Sequence, residues 1–334
     1  MPLVLSRALK LVAVTGLALA IFPSAQATTS VKIGVVYDAG GRGDRSFNDA
    51  AALGVDATRK SLKLDQFALR EVVALSDDFD RENRIEFLIK AGYSIVICVG
   101  PNFATAVKYM AEKYPEAQLS IIGSKTVDSI NVASMAFDNS EESFLAGAYA
   151  AGISKSAKVG FITSNTDLYK DSDGSNFTLG AKLINPKVRV YQKASTLNAN
   201  IDAQSIISDG VDVIFSNWNH DAQVLNQVFS ANRAKKNIKY IGKSPAQYFL
   251  SKNDSIAAII NDRFDYAVSD IIKASVAGNT LTDVINDKNG IYGKLYGLGN
   301  NGFDVILKNS NPAGKIALAK AKSALSNKGV NLIN

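Results

Sequence analysis

Two short stretches concentrate side chains able to hold a small molecule. The first, DAGGRGDRSFN (Asp38 to Asn48), combines three glycines with acids, an amide and an aromatic ring. Gly40, Gly41 and Gly43 allow a bound molecule close to the backbone. Asp38 and Asp44 accept hydrogen bonds, Asn48 both donates and accepts, and Phe47 offers a flat stacking face. A dinucleotide fingerprint would need a third glycine where Ser46 stands, and two acids would repel a pyrophosphate. The second stretch, SNWNHD (Ser216 to Asp221), sets the only Trp and the only His among two Asn and an Asp. Trp218 reads either as a stacking wall for a planar ligand or as a packing residue. His220 reads as a surface residue at a helix start.

The rest of the inventory removes whole classes of chemistry. One Cys (Cys98) among 334 residues forbids an intrachain disulfide and a multi-cysteine zinc site. One His argues against a catalytic triad or a His-rich metal centre. Cys98 lies inside the apolar run SIVICVG and reads as a small core residue. No G-x-S-x-G elbow occurs, and no pair of carboxylates is singled out for glycosidase chemistry.

These stretches need elements to position them, and the chain supplies strands alternating with helices. At 47% hydrophobic and 20% charged residues it is an ordinary globular sequence, long enough for two domains. VKIGVVY (Val31 to Tyr37) reads as a buried first strand, and Ser-x-x-Asp (Ser46 to Asp49) as a capping box opening the first helix. ALREVVAL, SIVICVG, LSIIG and NVASMAF continue the strands, with a helix at Glu82 to Tyr93 between the first two. The same grammar repeats through AKVGFIT, VRVYQ, VDVIF and IKYIG, and IAAII (Ile256 to Ile260) is the last clear strand. About ten such strands predict two α/β lobes with parallel sheets covered on both faces. In open sheets of this kind ligands sit beyond the carboxyl ends of the strands. The loops at 38–47, 100–103, 216–221 and 242–247 therefore face the ligand.

The first residues read as a leader. Arg7 and Lys10 precede an apolar run from Leu11 to Phe22, and Ala25-Gln26-Ala27 gives a cleavage pattern. Residues 1–27 are expected to be a signal peptide, with an uncleaved anchor as the alternative. No cysteine stands near the cleavage point, so lipid attachment is not expected. Removing Arg7 and Lys10 takes the formal net charge from +6 to +4. The charges are scattered, as in DDFDREN and RAKKNIK, rather than gathered with aromatics on one face, so nucleic acid is not an expected partner.

The run YDAGGRGDRSFNDAA (Tyr37 to Ala51) closely resembles the start of the basic membrane protein family, purine-nucleoside-receptor-like substrate-binding proteins of ABC importers. VGPNFATAVKYMAEKYP, ESFLAGAYAAG, KVGFI, NFTLGAKLINP and SDGVDVIF extend the resemblance along nearly the whole chain. It implies a type I periplasmic-binding-protein fold, with two parallel-sheet α/β lobes joined by three crossing strands. The lobes would comprise 28–137 plus 262–283, and 138–261 plus 284–334. It also implies a role for single residues. Asp38, Phe47 and Asn48 match positions that contact a nucleobase, and Gly100 a backbone approach site. Other positions depart from the family pattern. SNWNHD stands where a glycine-rich segment is usual, Gly242-Lys243-Ser244 where the family has G-V-D, and Asp262 where it has Lys. Ser195 falls where an aromatic is usual. Trp218, with Asn219 beside it, would then supply a second stacking face, and Lys243 would meet an acidic group.

The expectation is a periplasmic or surface-associated binding protein, monomeric, without cofactor or metal and without enzymatic activity. It would clamp a nucleoside or related planar heterocycle and deliver it to a membrane permease. The alternatives are a sensor module of the same fold and a secreted glycosidase or hydrolase.

Overall fold

The computed structural model describes residues 31–165, 169–196, 198–217, 221–250, 254–281, 283–286, 290–308 and 311–333. The expected leader at 1–27 lies outside them.

The chain first builds β1 (Ile33–Tyr37), α1 (Phe47–Leu62), β2 (Leu69–Val73), α2 (Asp78–Lys90), β3 (Ile95–Val99), α3 (Ala104–Lys113), β4 (Gln118–Ile122) and β5 (Val132–Phe137). Every residue of β1 is buried, because helices cover both faces of the sheet. The chain then crosses into a second layer system. It comprises α4 (Asn139–Ile153), β6 (Lys158–Ser164), α5 (Lys170–Ile184), β7 (Arg189–Ser195), α6 (Ala199–Ser208), β8 (Val213–Ser216), α7 (Asp221–Arg233), β9 (Lys239–Gly242) and β10 (Ile256–Asp262). It returns for α8 (Phe264–Val276), β11 (Asp283–Asn286) and β12 (Ile291–Tyr296), then crosses again for β13 (Phe303–Leu307) and α9 (Pro312–Ser326).

Two sheets result, ordered β11-β12-β5-β4-β3-β1-β2 and β13-β10-β9-β8-β6-β7. All neighbours pair in parallel except β11 on β12 and β13 on β10. The two-lobe expectation therefore holds, but the third crossing lies elsewhere. β12 pairs with β5 from Tyr292 to Tyr296, so the chain stays in the first lobe until residue 296 rather than leaving at 283. The strands after Ile260 escaped the sequence reading because β11 is short and breaks register between Val284 and Asn286. β12, IYGKLY, carries Gly and Lys in place of a continuous apolar run.

The three crossings are tied to one another. The Asp138 amide donates to the Tyr296 carbonyl at 2.7 Å, and the Arg263 amide to the Gly302 carbonyl at 2.9 Å. The Leu298 amide donates to the Glu141 carboxylate at 2.6 Å. In the second lobe, α4 is buried along most of its length because α5 packs directly on it. A β-carbon at Gly147 would fall 1.9 Å from the Phe177 carbonyl oxygen, and one at Gly180 1.8 Å from that of Phe144. Only glycines permit that approach, which gives the FLAG segment its physical reason.

Candidate functional site

The site starts where β1 ends. Asp38 is 3% exposed, and its carboxylate is the centre of a built network. Oδ1 accepts from the Ala39 amide at 2.9 Å and from Arg81 Nε and Nη2 at 3.1 and 2.9 Å. Oδ2 accepts from Asn102 Nδ2 at 2.7 Å. Arg81 comes from α2, is itself buried, and lies over the Phe103 ring. A buried carboxylate needs such a partner, since removing a charge from water unpaired is costly. Asn48 is fully buried and holds the Asp38 main chain from both sides. Its Oδ1 accepts the Asp38 amide and its Nδ2 donates to the Asp38 carbonyl, each at 3.2 Å.

The glycine loop between them is fastened by charge. Arg42 pairs with both carboxylate oxygens of Asp56 at 2.8 Å and with Glu71. The helix cap differs from the expected capping box. Ser46 occupies the N-cap position without a side-chain bond. Asp44 does the capping instead, accepting the amides of Ser46, Asn48 and Asp49 at 2.8, 3.1 and 3.1 Å. Asp49 reaches back to the Gly43 and Arg45 amides, at 2.6 and 3.0 Å. A carboxylate can serve several amides at once and also meets the positive end of the helix, so it outcompetes a hydroxyl.

Phe47 opens α1 with its ring against Gly100, where a β-carbon would fall 2.8 Å from the ring. Gly100 also has φ 115°, a backbone that side chains rarely adopt. From Phe47 an aromatic row runs to the crossings. Phe264 lies 5.6 Å away, Phe137 stacks on Phe264 at 5.0 Å, and Tyr296 follows at 5.4 Å. Sequence reasoning missed Phe137 and Phe264. Their signal was position, since each directly flanks a crossing.

The second lobe contributes a charged cluster. Lys243, just after β9, donates to Asp262 Oδ1 at 2.7 Å and to Glu142 of α4. Glu142 is fully buried, and among the described residues its Oε1 has no partner. Burial, and then the charge of Asp262, push its carboxyl well above the usual range, against the pull of Lys243. Burial opposes the Lys243 ammonium, yet Asp262 and Glu142 hold its pKa above the ordinary lysine value. The acids expected to meet Lys243 are thus, in this structure, the protein's own. Glu142 had stood in the sequence only as the start of a helical block.

Further along the same strand ends, Asn217 Nδ2 donates to buried Asp173 at 2.9 Å. Trp218, Asn219 and His220 lie outside the described residues. The hydroxyls of Ser195 and Ser216 are buried at the ends of β7 and β8 without a hydrogen-bond partner among the described residues. The lobes touch across the cleft. Ser244 Oγ donates to the Arg45 carbonyl at 2.8 Å, and Lys125 Nζ sits 4.1 Å from the Tyr169 ring centroid. Cys98 lies in the core with its thiol pushed up by burial, so it offers no thiolate.

Residues 30–305 match the family model described as ABC transporter substrate-binding protein, PnrA-like. The chain belongs to this family. Among its relatives is the ABC transporter nucleoside-binding protein BmpA of Lactococcus lactis, 27% identical over 317 residues, covering 90% of this chain and 88% of that one. Basic membrane protein A of Borreliella afzelii is 27% identical over 242 residues, covering 69% of this chain and 71% of the relative. A solute-binding protein of an ABC transporter system from Aeropyrum pernix superposes with TM-score 0.66 at 20% identity, covering 89% of this chain and 86% of that structure. The arabinose-binding protein AraP of Geobacillus stearothermophilus gives 0.62 at 16%, covering 83% and 97%. At such identities the structures speak for the fold alone, which is that of type I periplasmic-binding proteins. The protein is an extracytoplasmic solute-binding component of an ABC transporter, from a family of binding proteins rather than enzymes.

Proposed function

We propose that the cleft binds a nucleoside or a related planar heterocycle and that the closed form hands it to a membrane permease. One observation carries the reading. Phe47, held in place by Gly100 and Phe264, stands beside the Asp38–Arg81–Asn102 network at the carboxyl edge of the first sheet. A flat ring stacks on Phe47, and its polar edge meets Asp38, which Asn48 positions through the backbone. Gly100 admits the Phe47 ring close to the main chain. On the opposite lobe, Lys243 and Asp262 face the other end of the solute. The nucleoside-binding description of the Lactococcus lactis relative supports the same class.

Binding favours closure only by the difference in affinity between open and closed forms. No bond is made or broken. The working form is a monomer from Thr28 onward, its leader removed and no lipid attached.

The test is a thermal-shift and calorimetric screen of the chain from Thr28 against nucleosides, free bases and flavins. A solute at 100 times its dissociation constant stabilises the fold by about 2.7 kcal/mol. A nucleoside response that disappears in Phe47→Ala supports the reading. Silence across the panel, or a response untouched by Phe47→Ala, removes it.

A further inference from the structure

At the opposite edge of the second sheet from Lys243, the lobe carries a cavity of about 550 Å³. It lies where β8, β9 and β10 begin and α4 ends. Its floor is apolar, formed by Tyr149 and Ile153 of α4, Val213 and Ala257. The Tyr149 hydroxyl is already engaged, donating to the Ala257 carbonyl at 3.2 Å. The floor therefore offers carbon surface.

The rim is cationic. Lys155, Lys236 and Lys239 line it, and among the described residues none of the three ammonium groups is ion-paired. Lys239 donates to the backbone carbonyl of Asp254 at 2.7 Å, which leaves its charge uncompensated. Asp212 and Asp254 also line the cavity. The Asp212 carboxylate is taken up by its own loop, accepting the Ser154 hydroxyl at 2.6 Å and the Lys155 and Ser156 amides at 2.7 and 2.9 Å.

The lysine-rich turn RAKKNIK is built rather than loose. Asn232 clasps Ile238, accepting its amide at 2.5 Å and donating to its carbonyl at 2.7 Å. Lys235 and Asn237 adopt φ 61° and 54°, a left-handed backbone that costs a non-glycine residue energy and persists where surroundings enforce it. Lys236, between them, is thereby presented on an ordered turn. The solute cleft makes no use of any of these residues.

Cavities of roughly 300–1,000 Å³ with apolar walls and few charged groups hold small molecules. We propose that this cavity is a second ligand site, separate from the cleft, for a small amphipathic anion. The apolar body lies on Tyr149 and Ile153, and a carboxylate or phosphate head meets Lys155 and Lys236.

The experiment titrates the chain from Thr28 with 8-anilinonaphthalene-1-sulfonate, a fluorescent apolar anion, and competes it with octanoate, octyl phosphate and octylamine. One probe per chain is expected, displaced by octanoate or octyl phosphate and not by octylamine. Affinity should fall at least tenfold in the K155E/K236E double variant. Both lysines are exposed, so the variant keeps its fold, checked by circular dichroism and an unchanged melting curve. The Phe47→Ala variant should bind the probe as the parent does. No probe binding, equal displacement by octylamine, or unchanged affinity in K155E/K236E overturns the proposal. Loss of binding in Phe47→Ala overturns it too, by moving the probe into the cleft.

Discussion

Lys243→Met isolates the charged cluster of the second lobe. The substitution keeps an unbranched stem and removes the ammonium that pairs with both Glu142 and Asp262. Glu142 is 0% exposed and Lys243 17%, so solvent screens the pair little on one side and modestly on the other. Removing one partner of a buried ion pair costs about 3–5 kcal/mol. The remaining exposure of Lys243 argues for the lower end, about 3 kcal/mol, or a drop in melting temperature of roughly 5–10 °C. The deficit also depends on pH, with a definite sign. The Glu142 carboxyl is already raised by burial and Asp262, and losing the opposing ammonium raises it further. The folded variant therefore holds a proton that the unfolded chain releases. The penalty is absent below the unfolded carboxyl pKa and grows as pH rises through the folded one. Differential scanning calorimetry of parent and variant between pH 5 and pH 8 should show the gap widening toward pH 8. Glu142→Gln in the Lys243→Met background should recover at least half of it. A variant that melts within about 1 °C of the parent at every pH, or additive effects of the two substitutions, would refute this account of the cluster.

Two further outcomes test the first lobe. Asp44→Ala should cost about 1 kcal/mol in urea unfolding, since it removes the carboxylate that caps α1, while Ser46→Ala should change stability little despite its N-cap position. Gly100→Ala should cost about 1–3 kcal/mol from its positive φ alone. It should also weaken the proposed nucleoside binding by calorimetry, because the new methyl group would displace the Phe47 ring.

Much of the site and the fold was written locally. The apolar runs from β1 to β10 are strands because β-branched residues suit a covered sheet, a property of adjacent residues. The glycine loop with Asp38, Phe47 and Asn48 could be placed at a strand end for the same reason. Local reading failed where two acceptors competed for the same amides. Ser46 had the right spacing for a cap, but the loop's curvature gave those amides to Asp44.

Tertiary structure decided what depended on segments far apart in sequence. Lys243 is 101 positions from Glu142 and 19 from Asp262, and no periodicity links them. Their meeting follows from β9 and β10 ending, and α4 beginning, at one edge of the second sheet. The same holds for β11, β12 and β13, which are too short or too polar to declare a partner. Which sheet each joins was settled by the edge left open for it, beside β5 for β12 and beside β10 for β13. The sequence determined the elements and most of the first lobe's candidate face by itself, because propensity and patterning act over a few residues. The placement of the third crossing and the partners of the buried charges came only with the assembled lobes, because burial and ion pairing depend on distance in space.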